Sequence, residues 1–459
     1  MIDIIKKITA IVGDKGIILG DDVANRPAYS YGKGQCQALA IVRPASTEEL
    51  SKVMSLCHQQ DQTTIPWGGL TGLVNGTYAT ADDIAISLER MTQIESIDNQ
   101  AGTMTVQAGV PLQVVQEKAA TEDWLFALDL GARGSATIGG NIATNAGGNS
   151  VLKYGMMREQ VLGLEAVLVD GTVISSLNSM LKNNAGYDLK QLFIGTEGTL
   201  GIVTKAVLRL HPLPSSRNTA IVAATQFDAV AKLLKLLNSH LNGQLSAFEV
   251  MWGNFYQLMT DSDKHNTVID SGYPYYVLIE ATGHNAERDA VQFEEALMAA
   301  LEQDILVDAA IAKSESQREQ LWAMRDDIDT VISELNPLFA FDISLPIANM
   351  EQYIQQVESQ IMTQWPHAKF IVFGHLGDGN LHLGICVGSY DEQTKHQVQS
   401  IVYQQLKPYA GSISAEHGIG LDKLKYLHCS RSDNEIALMK RLKLAFDPKN
   451  LLNRGKVFP

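Results

Sequence analysis

From Leu128 to Gly148 the chain is built almost wholly of Gly, Ala, Ser, Thr and Asn, with only an occasional larger residue. Side chains this small leave the backbone to line whatever lies there, so a flat, extended ligand is implied. Two other stretches share the texture. Pro66 to Gly76 places four glycines within nine residues, a loop able to turn its N–H groups toward one point, as a nest does around phosphate oxygens. Gly186 to Thr204 joins a helix to a strand through small residues from Gly195 to Gly201. One glycine loop is often only a tight turn, but three in one domain exceed what core packing requires. The first loop has neither the Gly-Lys-Ser/Thr ending of a P-loop nor the GxGxxG spacing of a dinucleotide fold.

A chain of 459 residues, 45% hydrophobic, has material for two or three packed units. The first 40 residues read as a helical lead-in. Strands are expected at 38–44, 63–66, 84–88 and 104–108, with an amphipathic helix over 47–60. The texture changes after His211-Pro212-Leu213-Pro214, where glycine thins out. Strands at 220–223, 275–279 and 370–373 then alternate with helices over 227–241 and 285–303. This predicts three segments. Residues 1–213 form the first domain, residues 214–420 an α+β domain with an antiparallel sheet and helices on one face, and residues 421–459 a short helical segment.

The formal net charge of -15 argues against nucleic acid as a partner. No apolar run is long enough to span a membrane, and the first residues lack the basic-then-apolar order of a signal peptide, so a cytoplasmic location is expected. Cys36, Cys57, Cys386 and Cys429 form no CxxC pair, which suits reduced thiols used for packing.

In the order PxGGxTG, GxxxxxxIGGNxATNAGG and GYDLxxLFxGxEGTLGI, the chain resembles, nearly end to end, the FAD-linked D-2-hydroxyacid dehydrogenases. These are the D-2-hydroxyglutarate and D-lactate dehydrogenase branch of the vanillyl-alcohol-oxidase-type flavoproteins. The resemblance implies an α+β fold, with a two-subdomain FAD-binding domain at 1–213, a substrate domain at 214–420, and a C-terminal segment that returns to the FAD domain. It implies FAD contacts at Pro66, Gly68, Gly69, Leu70, Thr71, Gly72 and Asn75 around the pyrophosphate. Ser135, Ile138, Gly139, Asn141, Thr144, Asn145 and Gly148 would follow the ribityl chain and ring. Gly198, Gly201 and Ile202 would lie toward the adenine, with Asn453 near the ring. Covalent members use a His or Cys in this domain; between His58 and His211 there is neither, so non-covalent FAD is expected.

In the last third, His375 and His382 flank Asp378 and Asn380, and Glu416-His417 follows later, each motif beside glycines. Two imidazoles and a carboxylate suit Zn²⁺ or Mn²⁺, although two histidines seven apart are a weak signal by themselves. The resemblance makes His375, His382 and Glu416 metal ligands, Zn²⁺ ahead of Mn²⁺, and His417 the catalytic base. A metal chelated by hydroxyl and carboxylate would acidify the hydroxyl of a 2-hydroxy acid, and a histidine can accept that proton at neutral pH. The same ligand set could serve a metal-dependent hydrolase, which would leave the glycine-rich stretches unexplained, and an O₂-using 2-hydroxyacid oxidase stays open.

Arg325, on a helix in a WAxR context, is expected to grip the substrate carboxylate, with Asn380 and His417 beside it. Against the 2-hydroxyglutarate pattern, Ala340 replaces a lysine, Gly384 an asparagine and Asp329 a threonine. These changes favour a monocarboxylic D-2-hydroxy acid such as D-lactate or D-mandelate over D-2-hydroxyglutarate. Electrons would pass to an external acceptor: an electron-transfer flavoprotein, a quinone or a cytochrome. A homodimer is compatible with the resemblance.

Overall fold

The computed structural model describes residues 2–27, 35–261 and 264–459, so residues 28–34 of the expected helical lead-in lie outside the described residues. The chain divides into two compact units. The first comprises Met1–Gly147, Gly155–Leu213 and Glu416–Pro459, and the second Gly148–Tyr154 and Pro214–Ala415. Residues 416–420 thus belong to the first unit, not to the segment 214–420 in which the sequence grouped them, and the short piece Gly148–Tyr154 belongs to the second.

The first unit holds two main sheets and a two-stranded pair, Trp124–Leu125 with His211–Pro212. In one, Ala40–Val42, Ile84–Ser87 and Thr64–Trp67 pair in parallel, with Ile17–Ile18 antiparallel at the edge. The other is antiparallel, in the order Ile94–Asp98, Thr103–Gln107, Ile202–Arg209, Val161–Val167, Val173–Ser176. The helix Thr47–Gln59 forms where 3.6-residue spacing sets Leu50, Val53, Met54 and Cys57 on one buried face, and Ser46 caps it by accepting from the Glu49 N–H. One apolar core joins that face to Met104 and Val106, Leu164 and Ala166, and Ile138 and Ile142.

The C-terminal segment is stitched to this unit by backbone. The Thr64 N–H donates to the Leu451 carbonyl and the Asn453 N–H to the Thr64 carbonyl, both at 2.8 Å. The buried Lys443 ammonium donates to the carbonyls of Thr199 and Leu452 and to Asp447. Arg454 meets Asp83 at 3.3 Å.

The second unit is built on a seven-stranded sheet, wholly antiparallel. Its order is Asp308–Ile311, Ser216–Ala224, Tyr275–Gly283, Leu245–Trp252, Lys369–His375, Asn380–Cys386, Phe339–Ser344. Helices cover both faces, not one. Met251 and Tyr276 pack with Phe255, Met259, Leu321 and Met324 from the helices Gly253–Thr260 and Glu315–Asp326. Their neighbours Trp252 and Tyr275 face the other way, as alternation along a strand requires, and meet Phe227 of the helix Phe227–His240. These strands are buried over most of their length, so the sequence shows runs of apolar residues with little alternation to reveal a one-sided sheet. Among the described residues no helix is long and apolar enough to cross a membrane.

Candidate active site

In the first unit the three small-residue stretches converge on one pocket. Pro66 to Val74 line one side, Ala108, Leu130 to Ala132, Thr137 and the helix Ile138–Thr144 another, and Phe193, Glu197, Gly198 and Gly201 to Val203 a third, with Glu416 and His417 completing the wall. Close approach explains the glycines. A Cβ on Gly69 would stand 1.9 Å from the Ser135 carbonyl oxygen, and one on Gly420, at φ +50°, 2.0 Å from that of Val74.

Two lining groups, Thr137 Oγ1 and Asn141 Nδ2, are buried with no hydrogen-bond partner. A buried unpaired polar atom costs roughly 1–3 kcal/mol, so both are suited to a polar ligand such as the cofactor the loops imply. The pocket therefore fits FAD on its own chemistry. Of the residues expected from sequence, Pro66, Gly68, Gly69, Leu70, Thr71, Gly72, Gly139, Asn141, Thr144, Gly198, Gly201 and Ile202 line it. Ser135, Ile138, Asn145 and Asn75 lie near lining residues in the chain but outside the lining, and Asn453 is outside it too. Asn75 binds Asp422, the Asn145 carbonyl oxygen of the side chain accepts from the Arg158 N–H, and Asn453 donates to the Glu197 carbonyl. Gly148 belongs to the second unit.

Glu197 fixes the segment that follows His417. Its carboxylate accepts the N–H groups of Ile419 at 2.7 Å and Gly420 at 2.8 Å, and a Cβ on Gly418 would meet it at 2.8 Å. Desolvation pushes the Glu197 carboxyl above the usual carboxylate range, against the pull of those two donors. The sequence offered Glu197 only as one polar residue in a glycine turn.

The second unit assembles a different set. His375 ends the strand Lys369–His375, Leu376–Asp378 is a single 3-10 turn closed by Gly379 at φ +89°, and His382 sits inside the strand Asn380–Cys386 rather than in a loop. This hairpin brings the two rings edge to face, with centroids 5.2 Å apart. Each histidine is the cross-strand partner of a buried carboxylate: His375 of Glu249, and His382 of Asp342. His375 Nδ1 lies 2.8 Å from Glu249 Oε1, while His382 Nδ1 is 4.0 Å from Asp342 Oδ1. Asn380 donates to Asp342 at 2.7 Å, and its own Oδ1 is buried without a partner.

Arg325 is not on a solvated helix face. It is 3% exposed, and its Nε and Nη2 donate to Glu249 Oε2 at 3.0 and 2.7 Å; Nη1 reaches Asp326 at 3.4 Å. A two-pronged grip on a substrate carboxylate would compete with the Glu249 pair. Burial alone would raise Glu249, but the charges of His375 and Arg325 outweigh it and hold the carboxyl well below the usual range. Sequence reasoning missed Glu249, although a glutamate between Phe248 and Val250 in an otherwise apolar strand was a usable signal.

Models of two families match the chain: "FAD binding domain" over residues 38–176 and "FAD linked oxidases, C-terminal domain" over 213–457. A rat mitochondrial D-2-hydroxyglutarate dehydrogenase is 36% identical over 420 residues, 91% of this chain and 78% of the rat protein. A Schizosaccharomyces pombe mitochondrial protein, provisionally named a D-lactate dehydrogenase, is 36% identical over 460 residues, 96% of this chain and 88% of its own length. Among solved structures, an alkyldihydroxyacetonephosphate synthase superposes with a TM-score of 0.77 at 18% identity, over 99% of this chain and 86% of that one. That likeness establishes the vanillyl-alcohol-oxidase type of fold.

Proposed function

The chain belongs to the FAD-linked D-2-hydroxyacid dehydrogenase family, and from that premise we propose that it oxidises a D-2-hydroxy acid to the 2-oxo acid with metal assistance and passes the electrons to an external acceptor. The observation that carries this reading is the pocket of the first unit, with its backbone walls, two unpartnered buried polar atoms, and His417 on the lining. FAD, held there without a covalent bond, supplies the two-electron acceptor that no side chain can provide. His375, His382 and Glu416 would hold a divalent cation, Zn²⁺ or Mn²⁺, which supplies positive charge beside the substrate hydroxyl.

The protein's own residues do the rest. His417 accepts the hydroxyl proton, a task suited to imidazole near neutral pH. The two N–H bonds that Glu197 takes from Ile419 and Gly420 limit the freedom of the His417 loop. Arg325 and Asn380 are proposed to hold the substrate carboxylate. For Arg325 this means sharing a guanidinium already committed to Glu249.

The far end of the substrate is the discriminating part. Ala340 and Gly384 are cross-strand partners, and a Cβ on Gly384 would press on Ile371 at 2.8 Å and Leu335 at 3.3 Å. That position offers no room for an asparagine and no cation for a second carboxylate, which favours a monocarboxylic acid. The names of the relatives favour D-2-hydroxyglutarate as the second reading.

Anaerobic visible spectra of the flavin-loaded protein, taken with D-lactate, D-mandelate, D-2-hydroxyglutarate and their L-forms, test both readings. Bleaching by D-lactate or D-mandelate supports the first, and bleaching by D-2-hydroxyglutarate alone supports the second. A spectrum unchanged by every acid in the panel refutes the oxidation of these substrates.

A further inference from the structure

We infer that Glu249 is a positioning residue for metal binding: it fixes the orientation and tautomer of His375, and the two hydrogen bonds from Arg325 in turn hold Glu249 in place. This rests on the reading of His375 as a metal ligand.

The geometry begins with strand register. Leu245–Trp252 and Lys369–His375 pair antiparallel with Glu249 directly opposite His375, so both side chains leave the same face at the same level. Glu249 is 1% exposed. Its two oxygens are divided: Oε1 sits 2.8 Å from His375 Nδ1, and Oε2 takes both the Nε and Nη2 hydrogens of Arg325. A carboxylate oxygen can only accept, so in the neutral imidazole the proton stands on Nδ1, and the Nε2 lone pair is left for a cation.

Arg325 also rests on the Phe373 ring, 4.9 Å from guanidinium carbon to centroid, and Phe373 in turn packs against the His382 ring at 5.1 Å. Both imidazoles are therefore backed by groups that Glu249 and Arg325 hold in place. His382 differs. Its cross-strand carboxylate, Asp342, is 4.0 Å away, too far for a hydrogen bond, and accepts from Asn380 instead.

The test uses flavin-loaded protein stripped of metal by a chelator. Zn²⁺ alone is then titrated against a chromophoric competitor, for wild type, Glu249→Gln and Glu249→Asp. The expected result is a 10- to 100-fold weaker Zn²⁺ affinity in both variants with flavin content unchanged, the usual size of such an effect. Glu249→Asp keeps a charge for Arg325 but withdraws from His375, so it decides the matter if Glu249→Gln does not fold.

Equal Zn²⁺ affinity in folded variants and wild type overturns the inference and leaves the metal reading intact. Wild type that binds neither Zn²⁺ nor, in the same titration, Mn²⁺ overturns both. A second measurement needs no variant of Glu249: ¹⁵N-histidine spectra of the metal-free wild type, with His375 assigned by His375→Asn. An Nδ1–H tautomer is expected, and an Nε2–H tautomer overturns the inference.

Discussion

The two units make their sites from opposite materials. The first presents backbone: three stretches of small residues, glycines in near-contact with carbonyls, and few charges on the lining. The second presents side chains: two histidines and two buried carboxylates carried on strands, and a buried arginine on the helix Glu315–Asp326. A backbone site is sensitive to added volume, because packed main chain cannot step aside. A charge network is sensitive to lost partners, because a buried ion left alone is costly. The same contrast separates the cations: Arg325 is matched by Glu249, whereas the ammonium of buried Lys456 donates to the Tyr78 carbonyl and reaches Asn453 Oδ1 at 3.4 Å.

The sharpest way to break this contrast is Gly69→Ala. The new methyl would overlap the Ser135 carbonyl, and we expect the flavin-to-protein absorbance ratio to fall about tenfold or more. A variant that keeps its full flavin would show that the loop yields, and the backbone account would fail.

Next is Arg325→Met, which leaves Glu249 buried without its guanidinium. Denaturant unfolding should show a loss of about 3–5 kcal/mol in the transition of the second unit, with flavin content retained. Loss of flavin in step with stability would mean the units are not independent in this respect.

Lys456 gives a smaller, pH-dependent effect. Burial lowers its pKa to about 8 from the ordinary 10.5, so at neutral pH the folded state carries the cost of an ammonium that water would hold better. The unfolded chain binds more protons than the folded one between these values, so folding stability rises with pH there. Relative to Lys456→Met, wild type should therefore gain stability between about pH 8 and pH 10.5, read from urea unfolding at the two ends. A gap that stays constant would place the lysine in a wetter site than its burial indicates.

The smallest effect belongs to a pair that neither material explains. Lys232 and Asp228 bridge on the exposed side of a helix, and Lys232→Ala should change stability by less than about 0.5 kcal/mol by thermal unfolding. A larger change would require a role for that surface.

Legibility differed between the two units for the same reason. The pocket of the first was readable because its residue types are unusual in themselves: a run of small residues from Leu128 to Gly148 has few structural uses. The helix Thr47–Gln59 followed from its 3.6-residue spacing, and the strands Ala40–Val42, Thr64–Trp67, Ile84–Ser87 and Thr103–Gln107 from short apolar runs beside turn residues. In the second unit, His375 and His382 stood out as types, but Glu249 lies 126 residues from His375 and Asp342 lies 40 from His382, so only strand pairing brings them together. Arg325 stood out by its WAxR context, but its pairing with Glu249 was not legible, because the sequence cannot say which helical face is buried or against what.

By itself the sequence determined the chemical inventory: which residues could wrap a flat cofactor and which could bind a cation. Those are properties of residue type and near-neighbour order, and local sterics and polarity set them. The tertiary structure alone decided the partnerships. It put Glu249 beneath His375, closed Arg325 onto that carboxylate, tied Glu197 to the His417 loop, and assigned residues 416–420 to the first unit along with the C-terminal segment. Such contacts depend on sheet register and on which face is desolvated, and both come from packing summed over the whole fold, so no local stretch of sequence carries them.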